Sequence, residues 1–148
     1  MSTLPLATWV LAVAVAVPRA LIVAPGTALP TLTAALAVAR DGDTIRVLAG
    51  DYREPTIVVA RRVVILGEGR PVFHGGDHQV LTVTADSVTI RGLVIRDVSP
   101  SATDDRAGIK VLSASGCRIE DNTLIDTFFG IYLSKVTGCL IRANRVRG

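Results

Sequence analysis

Two histidines, two cysteines and one pair of adjacent aspartates are the first places to look for chemistry in this 148-residue chain. His74 and His78 lie four apart in FHGGDHQV, around Gly75-Gly76-Asp77. Imidazoles on a turn can ligate copper, but no third ligand stands nearby, and two ordinary histidines in an exposed loop explain the stretch as well. Cys117 and Cys139 are soft donors suited to Cu(I), and in an oxidising compartment two cysteines can also pair. Their simplest reading is a pair of buried, small apolar residues. Asp104-Asp105 supplies the two carboxylates that glycoside hydrolysis needs. Neighbours on a strand point to opposite faces, however, and a polar loop accounts for them, so no catalytic residue is assigned.

The cysteines belong to a larger pattern. Gly108-Ile109 returns as Gly130-Ile131, Gly116-Cys117 as Gly138-Cys139, and Asn122 as Asn144, each 22 residues later. Upstream, Val88-x-Ile90-x-Gly92-Leu93-x-Ile95 aligns with Cys117-x-Ile119-x-Asp121-Asn122-x-Leu124, and Val63-x-Ile65-x-Gly67 fits as an earlier copy. The steps are 25, 29 and 22 residues, with the extra residues falling in polar stretches such as residues 99–106. Constant strands joined by variable loops are the mark of a solenoid.

The elements agree. Runs such as TIRVLAG, TIVVARRVVILG and VLTVTADSVTIRGLVI are short, alternating and rich in Val and Ile, with Gly, Asp, Asn or Ser between them. One helix is predicted, capped by Thr31, running through Leu32, Ala35, Leu36 and Ala39, with Gly42 just past its end. No second helical segment separates the strands, so a βαβ sheet is excluded. A leucine-rich repeat fits the AxxCxIxxNxL template, but GIKV and GIYL add a strand where that repeat needs a helix. The pattern therefore predicts an all-β, right-handed parallel β-helix solenoid with a short N-terminal capping helix. Residues 22 apart then stack at the strand spacing of ~4.8 Å. Asn122 and Asn144 become a structural ladder at a bend, with Gly108 and Gly130 where side chains would obstruct.

Residues 6–17 form a run of twelve that is apolar but for Thr8. That is short for a membrane span and the length of a signal-peptide core. Residues 1–20 read as a signal peptide cleaved after Ala16 or, less ideally, Ala20, and residues 21–148 as the solenoid. Met1–Pro5 lacks the usual Lys or Arg, so an uncleaved anchor or a buried first strand are the rival readings. The net charge is +3, and Arg supplies 14 of the 16 basic residues. These arginines are scattered and little interleaved with aromatics, which argues against nucleic acid as a partner. GEGRPVFHGG is glycine-rich but opens no helix, so it is no phosphate-binding loop.

The opening PG, TLTAAL, ARDGDTIRVLAGDYREP and VVILGEGRPVFHG resembles pectin-lyase-like β-helix proteins in general. VTIRGLVIRD, AGIKV, IEDNTLIDTFFGIYL and IRANRVRG resemble, more narrowly, the NosD family of nitrous oxide reductase maturation proteins. The resemblance spans essentially all the chain after the leader. It implies a periplasmic, non-enzymatic accessory protein for the copper centre of nitrous oxide reductase, working with an ABC-type ATPase and a membrane permease. A carbohydrate-binding or carbohydrate-active β-helix is the alternative. Family members are longer, so the chain is expected to be the N-terminal part of a truncated solenoid.

Overall fold

A computed structural model describes residues 17–148; the apolar core of the expected leader lies outside the described residues. Strand β1 (Ala20–Val23) is followed by helix α1 (Leu32–Val38). The chain then winds repeatedly through three positions. Strands β2 (Thr44–Val47), β3 (Asp51–Tyr52) and β4 (Ile57–Val59) make one coil; β5 (Val64–Gly67), β6 (Val72–Gly76) and β7 (Leu81–Val83) make the next. Strands β8 (Thr89–Arg91), β9 (Val94–Val98) and β10 (Ala107–Leu112) follow, then β11 (Arg118–Glu120), β12 (Thr123–Thr127) and β13 (Phe129–Ser134). Strands β14 (Leu140–Arg142) and β15 (Arg145–Arg147) begin another.

Every pairing is parallel and joins equivalent strands of successive coils. The three resulting sheets run β1-β2-β5-β8-β11-β14, β3-β6-β9-β12-β15 and β4-β7-β10-β13. This is the expected right-handed parallel β-helix. Ile65, Ile90, Ile119 and Ile141 occupy one register column, reproducing the steps of 25, 29 and 22 residues. Ile45 stacks on Ile65 as an earlier member of the column. Period-2 alternation sends Ile45, Ile65, Ile90 and Ile119 inward, where none is more than 1% exposed. Burying each such side chain contributes roughly 1.5–3 kcal/mol, and the repeat multiplies that gain coil by coil. Tyr52 and Phe73 add a stacked inward pair, with ring centroids 4.9 Å apart.

Helix α1 lies at the beginning of the coil and is capped as predicted, Thr31 accepting a hydrogen bond from Ala34 N at 3.1 Å. Buried Glu54, from the first coil, adds a second cap. Its carboxylate accepts from the backbone N–H groups of Leu32 and Thr33, each at 2.9 Å. Those are two of the donors a helix start leaves unpaired. The helix ends earlier than the sequence suggests. Ala39 is already extended, and Gly42 (φ +93°) sits instead in the turn closed by Arg40 and Asp43.

The bend between the first and second sheets is built the same way in each later coil. Gly92, Asp121 and Ala143 stand in one column, with φ of +77°, +54° and +55°. A single left-handed residue turns the chain there, at a cost the adjoining ladder offsets.

Candidate functional site

The solenoid leaves variation to the corner between the second and third sheets. Residues 53–56, 77–80 and 99–106 bridge it in successive coils, and Phe128 alone bridges it in the next. The longer connections border a cleft of about 520 Å³ beside the outer face of β10, lined by Thr56, His78, Gln79, residues 103–106 and Lys110, with Asp77 at its edge. A concavity of that size suits a small polar ligand or a peptide segment.

Arg106 lies 3.7 Å from Asp77 and 4.0 Å from Asp104. Lys110 Nζ donates to the Asp105 carbonyl at 3.1 Å and sits 5.0 Å from the centre of the Tyr132 ring. The Asp105 carboxylate, through hydrogen bonding first and its charge second, pushes the Tyr132 phenol above its ordinary range. On the far wall, Thr56 Oγ1 and His78 Nδ1 both reach the Gln79 carbonyl, at 3.0 and 2.8 Å. The Gln79 amide donates to Thr82 at 2.9 Å. The cleft can therefore offer carboxylates, an ammonium, a guanidinium and hydroxyls together. The sequence flagged only His78, Asp104 and Asp105 here. Lys110 and Tyr132 were hidden inside strand repeats, and only the stacking of β10 and β13 brings them together.

His74 serves another purpose. Its Nε2 lies 2.9 Å from Asp51 and its Nδ1 3.6 Å from Asp97, so one imidazole links carboxylates from the coils on either side. His74 and His78 also border a shallow hollow with Glu54 and Pro55. Among the described residues, no group of three or more His, Cys, Asp or Glu side chains is arranged to hold a metal ion. Both His74 nitrogens thus face carboxylates, while His78 Nδ1 turns to the Gln79 carbonyl.

Cys117 and Cys139 stand one coil apart in adjacent register, both as free thiols. Cys117 is 1% exposed and directs its thiol to the Ala85 carbonyl at 3.6 Å. Burial, and then the neighbouring Cys139, push its thiol up from the ordinary value despite an opposing backbone hydrogen bond. Cys117 is packed in the core, with Cys139 of the next coil as its soft neighbour.

The predicted ladder is present. Asn122 Nδ2 donates to Asn144 Oδ1 at 3.0 Å and to the Ile90 carbonyl at 3.1 Å, while Asn122 Oδ1 accepts from Leu93 N at 3.1 Å. Asn144 Nδ2 repeats the pattern on Ile119 O at 2.8 Å. Gly108 is needed for space: a Cβ there would come within 2.8 Å of Leu124 Cδ2 and 3.1 Å of Gly130 O. Gly130 similarly faces Val146, at 3.0 Å.

No protein-family model matches the chain. It is similar to a probable ABC transporter binding protein NosD of Pseudomonas aeruginosa, with 31% identity over 110 residues. That match covers 73% of this chain and 26% of the relative, so the chain spans about a quarter of that protein's length. In structure it resembles a pectin methylesterase variant crystallised with a hexasaccharide, with a TM-score of 0.66 at 18% identity, covering 85% of this chain and 50% of the esterase. The chain is a right-handed parallel β-helix, NosD-like in sequence over nearly three-quarters of its length.

Proposed function

We propose that this protein is an exported accessory factor for the copper centre of nitrous oxide reductase, acting with an ABC transporter as a docking scaffold and without catalysis of its own. The similarity to a probable ABC transporter binding protein NosD carries this reading. The apolar leader supports passage to the periplasm. Glu68–Gly69–Arg70–Pro71, between β5 and β6, opens no helix, so ATP hydrolysis is assigned to the transporter. The test is affinity purification of the natural full-length protein from membranes of its own host grown with nitrous oxide. Co-purification of an ATPase and a permease is the expected result; their absence from a preparation that retains the folded protein argues against the role.

A second reading, a carbohydrate-binding solenoid, draws on one observation: the cleft holding Asp104, Asp105, Lys110 and Gln79 presents hydroxyl-binding groups beside the Tyr132 ring. Titration of the full-length protein with neutral and uronic oligosaccharides separates the two. Saturable binding lost in Lys110→Ala would favour the carbohydrate reading.

A further inference from the structure

The cleft beside β10 holds two cations in different states. Arg106 is already matched: it faces the carboxylates of Asp77 and Asp104, donates to the Pro100 carbonyl at 3.4 Å and is only 19% exposed. Lys110 is not. Among the described residues its ammonium has the Asp105 carbonyl and the Tyr132 ring as partners, and no carboxylate. Register sets Lys110 beside Tyr132 on the outer face of the sheet, because Ile109 and Val111 on either side of it point inward and are fully buried.

Both donors are turned to one loop residue. Asp105 gives its carbonyl to Lys110 at 3.1 Å and brings its carboxylate to the Tyr132 phenol. The connection that carries Asp105 is anchored at its ends, by Ser99 N on Gly76 O at 2.9 Å and by Phe129 N on Arg106 O at 3.1 Å. Between these points it folds on itself, Ser101 Oγ accepting from Thr103 N at 3.2 Å and Asp104 N at 3.0 Å. Among the described residues, the backbone of residues 100–105 makes no hydrogen bond to the backbone of another coil. Asp105 can therefore leave Lys110 and Tyr132 without breaking a rung of the ladder.

A carboxylate arriving from outside would do more for this pair than Asp105 does. One oxygen would give Lys110 the charge-assisted partner it lacks, and the other would accept from the phenol. An acidic side chain on a peptide fits better than a uronic sugar. Lys110 stands over the Tyr132 ring and Phe129 is tilted against it, with centroids 5.8 Å apart, which leaves little open ring face for a sugar to stack on.

We propose that Lys110 and Tyr132 form a subsite for an aspartate or glutamate side chain on an acidic segment of a partner protein, and that Asp105 occupies it in the free protein as a tethered competitor. The partner, though not the chemistry, rests on the docking-scaffold reading above.

The test is binding of a fluorescent hexaglutamate peptide to the natural full-length protein, read by anisotropy, with hexaglutamine and oligogalacturonate as comparison ligands. Asp105→Asn should tighten hexaglutamate binding roughly tenfold and Lys110→Ala should weaken it roughly tenfold, the size expected of one hydrogen bond to a charged group. Asp104→Asn removes an equal charge one residue away and should change binding less than about twofold. Melting points of the variants show that each is folded. Asp105→Asn protein that binds no more tightly than the unaltered protein overturns the competitor. Binding indifferent to Lys110→Ala overturns the subsite, and oligogalacturonate held more tightly than hexaglutamate overturns the peptide assignment. The affinity purification above is independent of these results. An ATPase and a permease that co-purify while hexaglutamate fails to bind would keep the docking role and remove this subsite; binding without co-purification would do the reverse.

Discussion

Asn122 and Asn144, 22 residues apart in sequence, join side chain to side chain at 3.0 Å in the folded protein, and Asn144 Oδ1 also accepts from the Asn122 backbone at 3.0 Å. Each amide thereby satisfies the bend of the preceding coil: Asn144 reaches the Asn122 N–H and the Ile119 carbonyl, and Asn122 reaches the Leu93 N–H and the Ile90 carbonyl. This column, next to the left-handed bend at Asp121 and Ala143, ties the last three coils to one another.

Asn122→Ala should destabilise the protein by roughly 2–4 kcal/mol, because it leaves both the Leu93 N–H and the Ile90 carbonyl without their buried partner. Urea unfolding of the full-length protein checks this. A loss under about 0.5 kcal/mol would mean that the ladder is dispensable.

Gly108→Ala should cost roughly 1–3 kcal/mol by overpacking, since the new methyl would meet Leu124, Ile95 and Gly130. Gly138→Ala meets nothing within 4 Å but must hold φ near +65°, a strain worth roughly 1–2 kcal/mol. The two variants separate crowding from backbone strain. A compensating Leu124→Ala should relieve crowding only in the first; rescue of Gly138→Ala would contradict the distinction.

Asp43 should give an acid-sensitive term to stability. Backbone hydrogen bonds from Arg40 and Arg19 hold its pKa at about 2, below the ordinary 3.8. Its contribution is thus full above the ordinary value and is lost as pH falls from about 4 through about 2. Melting curves across that interval should show a drop that Asp43→Asn removes. An unchanged drop in the variant would assign acid sensitivity elsewhere.

Cys117 should resist alkylation in the native protein and react on unfolding, because burial keeps it both protonated and covered. Mass spectrometry after a timed pulse of iodoacetamide reads this directly. Rapid native labelling would show a coil that opens far more readily than its packing implies.

The fold was legible in the sequence because a β-helix writes its geometry as a period. Ile65, Ile90, Ile119 and Ile141 keep their phase while the loops absorb the difference, and Asn122 and Asn144 mark the bend. Glu54 was not legible: nothing local distinguishes it from a surface acid, and its capping of α1 arises 22 residues from Leu32. The cleft was half legible. A polar loop drew attention to Asp104 and Asp105, but Lys110 and Tyr132 gain meaning only from register, where β10 and β13 set them side by side. His74 looked like a metal donor by type alone; its two carboxylate neighbours come from other coils.

The most direct test of the proposed role is to delete the gene in its own host and measure the copper content and activity of nitrous oxide reductase isolated from the deleted strain. The account predicts a reductase that accumulates with its copper centre incomplete and its activity largely lost, both restored by returning the full-length gene. A fully loaded, active reductase in the deleted strain would contradict it.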